Sequence, residues 1–167
     1  STMDIRTLFA PVLAAMSVSA QVKLGHIETQ KLIQAMPEWT AAQKTFEEEQ
    51  KKVNTELNSL REQFQTKLAE YSEKMKTYSE AMRATTEEEL QGLQQRIQRF
   101  QETAMAQLEK TQNDLMQPVM EKALNAIKEV GKENGFTYIF DMNAGILYAA
   151  ENSQDVLPLV KKKLGLQ

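Results

Sequence analysis

Large apolar residues recur three or four positions apart from Leu57 to Leu115, as two lists that mirror each other. The first holds Leu57, Leu60, Phe64, Leu68, Tyr71, Met75, Tyr78 and Met82. The second holds Leu90, Leu93, Ile97, Phe100, Leu108 and Leu115, with Ala104 and Thr111 in the same register. Such spacing lays one stripe along one face of a helix. Residue 82 mirrors 90, 75 mirrors 97, 68 mirrors 104, 64 mirrors 108 and 57 mirrors 115, which predicts an antiparallel helical hairpin with its tip near residues 83–88. The steps from 57 to 68 and from 104 to 115 are eleven residues where the others are seven, so a local change of supercoil is expected at one height in both arms. Turn chemistry is expected from Thr85-Thr86-Glu87-Glu88-Glu89, where either Thr86 with Glu89 or Thr85 with Glu88 makes a capping box. Neither proline nor glycine marks this tip, which leaves one continuous helix as the alternative. The striped part of each arm, roughly 30 residues, spans about 45 Å.

From about Gln43 to Lys110 the chain is rich in Glu, Gln, Lys and Thr, with no proline and only Gly92, so the stripe is thin. Large aliphatics gather at the two ends. A compact body is therefore expected from residues 21–42 and 118–167, carrying residues 43–117 as an arm. The 20 basic and 23 acidic residues are interleaved and net charge is -3, which gives no bias toward nucleic acid. Cysteine is absent, which excludes thiol catalysis, disulfides and thiolate metal sites. At the start, the apolar run Leu8 to Met16 followed by small residues reads as the end of a secretory signal cleaved after Ala20. A basic start is missing from it, and a native amphipathic arm is the alternative. Nothing later is long and apolar enough to span a bilayer.

In the body, Val22 to Ile27 alternates as a half-buried strand does, Glu28-Thr29 offers a helix start, and Pro37 ends that short helix and opens the next. Trp39 and Phe46, seven apart, place large rings where the arm leaves the body. Pro118 is expected to bend or restart the returning helix before Val119, Met120, Ala123, Leu124, Ile127 and Val130, and Asn134-Gly135 closes it. Phe136 to Phe140 and Ile146 to Ala150 read as two strands joined by a turn at Asp141 to Gly145. With the strand near Leu24 they predict a small antiparallel or mixed sheet. Asp155 is expected to cap a last helix through Val156, Leu157, Val160 and Leu164. The fold class is α+β, mostly α, with a long helical hairpin on a small β-sheet body.

No catalytic, cofactor or metal constellation stands out: His26 is the single histidine, and Asp141 and Asp155 serve turns and caps. Nine methionines, among them Met75, Met82, Met105, Met116 and Met120, suit a promiscuous binding surface together with Tyr71 and Tyr78; packing between the arms is the competing use. A thin seam and a small sheet bury little per residue, so oligomerisation is expected to supply missing core.

The opening Val22-Lys23-Leu24-Gly25-His26-Ile27, the charged helical hairpin, the closing Phe136 to Tyr148 segment and the capped helix from Asp155 to Leu164 together resemble the Skp/OmpH family of periplasmic chaperones. The resemblance implies a jellyfish-like homotrimer in the periplasm, whose three hairpins surround a cavity. It implies a holdase that works without ATP on unfolded outer-membrane β-barrel proteins, is no enzyme and carries no cofactor. By the same resemblance Leu24, Ile27, Ile139 and Leu147 fall in the trimer body, and Asp141 is structural. The best-known members are basic, whereas this chain is net acidic. Arg83, Arg96, Arg99 and Lys110 leave only local positive patches for clients or for peripheral membrane contact, so many weak apolar and polar contacts are the expected mode. A structural or adaptor coiled coil that binds one folded partner is the alternative.

Overall fold

The computed structural model describes residues 21–167; the leader reading of Leu8 to Ala20 falls outside the described residues. Strand β1, Leu24–Ile27, is followed by α1, Thr29–Ala35. Met36 breaks the helix with an extended backbone because Pro37 follows, and Pro37 then opens α2, Pro37–Lys74. A single 3-10 turn, Met75–Thr77, leads to α3, Glu80–Glu133, which runs antiparallel to α2 and returns to the body. At 38 and 54 residues, α2 and α3 are about 57 and 81 Å long.

Helix α3 passes through Pro118 without restarting. Proline removes one hydrogen bond from the ladder, but Pro118 is exposed, and water can serve the carbonyl that it leaves free. The helix ends at Asn134-Gly135. Gly135 takes a φ of 68°, the Phe136 N–H reaches the Gly131 carbonyl at 3.0 Å, and the Gly135 N–H reaches Lys132 at 3.4 Å. This is the left-handed glycine stop that satisfies the last carbonyls of a helix. Lys23 holds the junction to β1: its ammonium donates to the Asn134 carbonyl at 2.8 Å and lies 4.3 Å from the centre of the Phe136 ring.

Strand β2, Tyr138–Asp141, and strand β3, Gln154–Asp155, flank β1 on opposite sides, and both run parallel to it. The sheet is therefore neither antiparallel nor mixed, and Ile146 to Ala150 form no strand in the chain. The reason lies in the expected turn. Asp141 Oδ2 accepts from the Thr29 hydroxyl at 2.8 Å, and Asn143 Oδ1 accepts from the Gln30 N–H at 3.1 Å. Glu28, at the N-cap, makes no capping bond with its side chain, so these two residues supply acceptors to the start of α1 from across the fold. That attachment draws the chain toward α1 at the point where a hairpin has to fold back on β2.

One face of the sheet carries Gly25, Ile27 and Ile139 inward against Leu32 and Ile33 of α1, the C-terminal part of α3, and Val160 of α4, Leu157–Lys163. Val119, Ala123, Ala126, Ile127 and Val130 make the α3 contribution, and Ile27, Leu32, Met36, Val130, Val156 and Val160 are almost fully buried. Trp39 packs on the edge of this core, where α2 leaves the body. At Gly25 there is no room for more: a Cβ there would lie 2.9 Å from the Phe136 ring and 3.1 Å from Val156. Asp155 stands one residue before the α4 N-cap, Val156, and its carboxylate accepts from the Leu157 N–H at 2.9 Å. Beyond the base, α2 and the first part of α3 have only each other among the described residues.

Candidate functional site

The arm is the part of the molecule with no core of its own, so its seam decides what its surface can offer. Along α2 the covered positions are Ala42, Phe46, Glu49, Val53, Leu57, Leu60, Phe64, Lys67 and Tyr71. Along α3 they are Thr86, Leu90, Leu93, Ile97, Phe100, Ala104, Leu108, Thr111 and Leu115. Both rows step by three and four. Each contains one pair of consecutive four-residue steps, around Val53 on α2 and around Ala104 on α3, and those two residues line the same cleft. An added four residues locally unwinds a heptad repeat. The break in the seven-residue spacing thus sits at one height in both arms, at 49–57 on α2 rather than 57–68.

The tip lies elsewhere than the mirror pattern places it. The chain turns at Met75–Thr77 and Ser79, not at residues 83–88, so Tyr71 stands opposite Glu87, donating its hydroxyl to that carboxylate at 2.5 Å, and Lys67 pairs with Glu89. Residue 68 was expected beside 104; the facing residues on α3 lie about two heptads nearer the tip. A heptad stripe is unchanged by sliding through whole heptads, so apolar spacing cannot choose among such registers. Capping chooses. Ser79 Oγ accepts from the Met82 N–H at 3.1 Å, Thr77 donates to the Lys74 carbonyl at 2.7 Å, and Arg83 Nε donates to the Met75 carbonyl at 2.9 Å. Thr85 and Thr86 cap nothing: Thr86 is buried in the seam and returns its hydroxyl to the Met82 carbonyl at 2.8 Å. Glu88 is exposed on α3, and Glu89 faces α2.

Three residues expected in the hairpin core are outside it. Leu68, Met75 and Met82 are exposed, and Lys67 occupies the seam in place of Leu68, its aliphatic stem covered and its ammonium reaching Glu89. Tyr78 is half-buried beside Tyr71, ring centres 6.3 Å apart. Leu60, Phe64, Tyr71, Leu93, Ile97, Phe100 and Leu108 are half-covered and Leu90 is buried. Small Ala104 opens an apolar cleft of about 460 Å³ beside Phe100 and Leu108, with Met105 standing exposed on its rim. Several charges on the arm pair at short range, Lys52 with Glu49, Lys74 with Glu70 and Lys110 with Asp114. The Tyr71 hydroxyl is held above its ordinary range by its bond to Glu87, and at the base the Lys122 ammonium holds the Glu38 carboxyl below its usual range.

On the body, the four residues expected there divide. Ile27 and Ile139 serve the chain's own core, whereas Leu24 is exposed on the outer sheet face and Leu147 is 98% exposed. Tyr148 is 80% exposed beside it. Tyr138 and Phe140 stack on the outer face with ring centres 5.8 Å apart. Nδ1 of His26 lies 2.8 Å from the Ser153 hydroxyl. Among the described residues no group of three or more His, Cys, Asp or Glu could hold a metal ion, and no helix is long and apolar enough to cross a membrane. Sequence reasoning missed Asn143 and Ser79. Ser79-Glu80 is an N-cap followed by an acidic first turn, a signal that was present but weaker than the Thr/Glu run. Asn143 acts across the fold and leaves no local signal.

Residues 23–164 match the family described as OmpH, outer membrane protein (OmpH-like). The chain also superposes on the crystal structure of a candidate outer membrane chaperone (OmpH-like) from Caulobacter crescentus CB15, with a TM-score of 0.76 and 16% identity over 87% of this chain and 85% of that one. At that identity the likeness is one of fold. No curated protein sequence matches. With the family match covering nearly all of the described residues, the chain belongs to the OmpH/Skp-like family of periplasmic chaperones.

Proposed function

We propose that three copies of this chain assemble through their bodies into a periplasmic holdase whose arms enclose unfolded outer-membrane β-barrel proteins without nucleotide. The observation that carries the reading is the division of the chain into a body with an uncovered apolar side and an arm that touches only itself. Among the described residues, the three short strands leave both sheet edges open, with unpaired backbone groups ready to pair with another chain. Among the described residues Ile146, Leu147 and Tyr148 have the residue types of a strand and no strand partner, while one edge of β2 is free; addition of this segment to a neighbour's β2 satisfies both. Bodies joined in this way set several arms around a common space.

Confinement needs weak contacts repeated at many points, so that aggregation is blocked and release stays easy. The arms supply these as Leu68, Met75, Met82 and Met105, exposed among charged side chains, and as the Ala104 cleft. At the tip, Met75 and Met82 beside Lys74, Lys76 and Arg83 suit peripheral contact with lipid headgroups. The test is light scattering from a denatured membrane β-barrel diluted into buffer, with and without the full chain and with no nucleotide. Suppression at about one trimer per client is expected. Undiminished scattering at several-fold excess overturns the reading.

A further inference from the structure

Among the described residues of the arm, the large apolar side chains left exposed are Leu68, Met75, Met82 and Met105, and all but Leu68 are thioethers. The covered seam is the reverse. From Phe46 to Tyr71 and from Leu90 to Leu108 its apolar positions are aliphatic or aromatic, and none is methionine. Two of the exposed methionines lie at the tip, where Met75 opens the turn and Met82 follows in the first turn of α3. Met105 is 72% exposed and stands on the rim of the cleft beside Ala104.

We infer that Met75, Met82 and Met105 are oxidation sites through which hydrogen peroxide reversibly turns down the holding proposed above, the reading on which this inference rests. The thioether sulfur attacks one oxygen of the peroxide. An S–O bond forms as the O–O bond breaks, sulfur gives up two electrons, and the second oxygen leaves as water with the proton of the first. The product, methionine sulfoxide, is polar and chiral where the thioether was apolar and flexible. A polar group resists leaving water, so a client gains nothing by covering it. With all three converted, Leu68 alone remains of the exposed large apolar side chains on the arm.

The fold is shielded from the same reagent. Met36, in the core, is 1% exposed, and the chain has no cysteine whose thiolate would compete for the oxidant. The tip keeps its caps, because Met75 and Met82 enter them through a backbone carbonyl and a backbone N–H. Packing of α2 on α3 is kept as well, since the seam between them is built without sulfur. The arm loses its grip and retains its shape.

The experiment treats the full chain with hydrogen peroxide, removes the reagent, maps added oxygen by peptide mass measurement and repeats light scattering with a denatured membrane β-barrel. A second protein combines Met75→Leu, Met82→Leu and Met105→Leu, which keeps volume and apolarity and leaves no sulfur at these positions. The expected wild-type result is oxygen at all three positions and none at Met36, with unchanged helical circular dichroism. The amount of chain that halves the scattering is expected to rise about tenfold, and to return after treatment with the two epimer-specific methionine sulfoxide reductases. The triple variant is expected to hold client equally well before and after peroxide, although Met120 is still exposed in it. Unmodified arm methionines, oxidised wild type that holds as well as untreated, loss of helix on oxidation, or a triple variant that loses holding on oxidation overturns this inference and leaves the holding reading standing. Untreated chain that leaves the scattering undiminished overturns the holding reading, and this inference with it.

Discussion

The body and the arm solve the same problem with very different means. In the body, strand, helix and loop residues far apart in sequence bury Ile27, Leu32, Met36, Val130, Val156 and Val160 almost completely. In the arm, almost every seam residue keeps part of its surface in water, because two helices alone cannot surround a side chain. The body is thus the stable unit, and the arm borrows rigidity from it through the base, where Glu38 of α2 meets Lys122 of α3. The difference leaves a closely packed root and a half-exposed, partly apolar limb.

The contrast breaks first under truncation. Leu32→Ala removes a fully buried side chain and is expected to cost about 2–5 kcal/mol, read by chemical denaturation, while Leu93→Ala in the half-open seam is expected to cost less than half as much. Equal losses at the two positions contradict the distinction. Next is Asp141→Ala, which takes an acceptor from the start of α1 and is expected to cost about 1–2 kcal/mol. Faster amide exchange is expected over Thr29 to Ile33, with the arm unaffected. Ser79→Ala deletes the cap at the tip for about 1 kcal/mol, and its faster exchange is confined to the first turn of α3. Changes at Thr86 with none at Met82 would restore the tip to residues 83–88.

The smallest effect is titration of the base. Lys122 lowers the Glu38 carboxyl from its usual value near 4.5, so the folded state binds fewer protons there than the unfolded chain. The pair's contribution is present above that value and lost as pH falls through the lowered one. Because Glu38 is largely solvated, about 0.5 kcal/mol or less is at stake. Glu38→Gln should therefore flatten a small acid slope in stability and leave pH 7 almost unchanged. A large loss at neutral pH would mean that the base depends on this pair far more than its exposure implies.

How much of this was legible in the chain depended on whether the determining groups were neighbours. Helix α1, the break at Met36-Pro37 and the stop at Asn134-Gly135 follow from residues within one turn of each other. So does the return row through Leu90, Leu93, Ile97, Phe100, Ala104 and Leu108. The outgoing row was harder, since Lys67 holds a seam position by burying its stem while its type suggests the surface.

Taken alone, the sequence determined that the middle of the chain would be amphipathic helix with one thin stripe, and that large aliphatics would gather at the two ends. Those are properties of periodicity and local backbone preference, which act within a few residues. Only the tertiary structure decided which heptads face each other, because sliding by whole heptads preserves the stripe and the choice falls to Ser79 and its neighbours. It alone decided that the sheet is parallel, because Asp141 and Asn143 bind Thr29 and Gln30 more than a hundred residues away, and no local rule carries a partner at that distance.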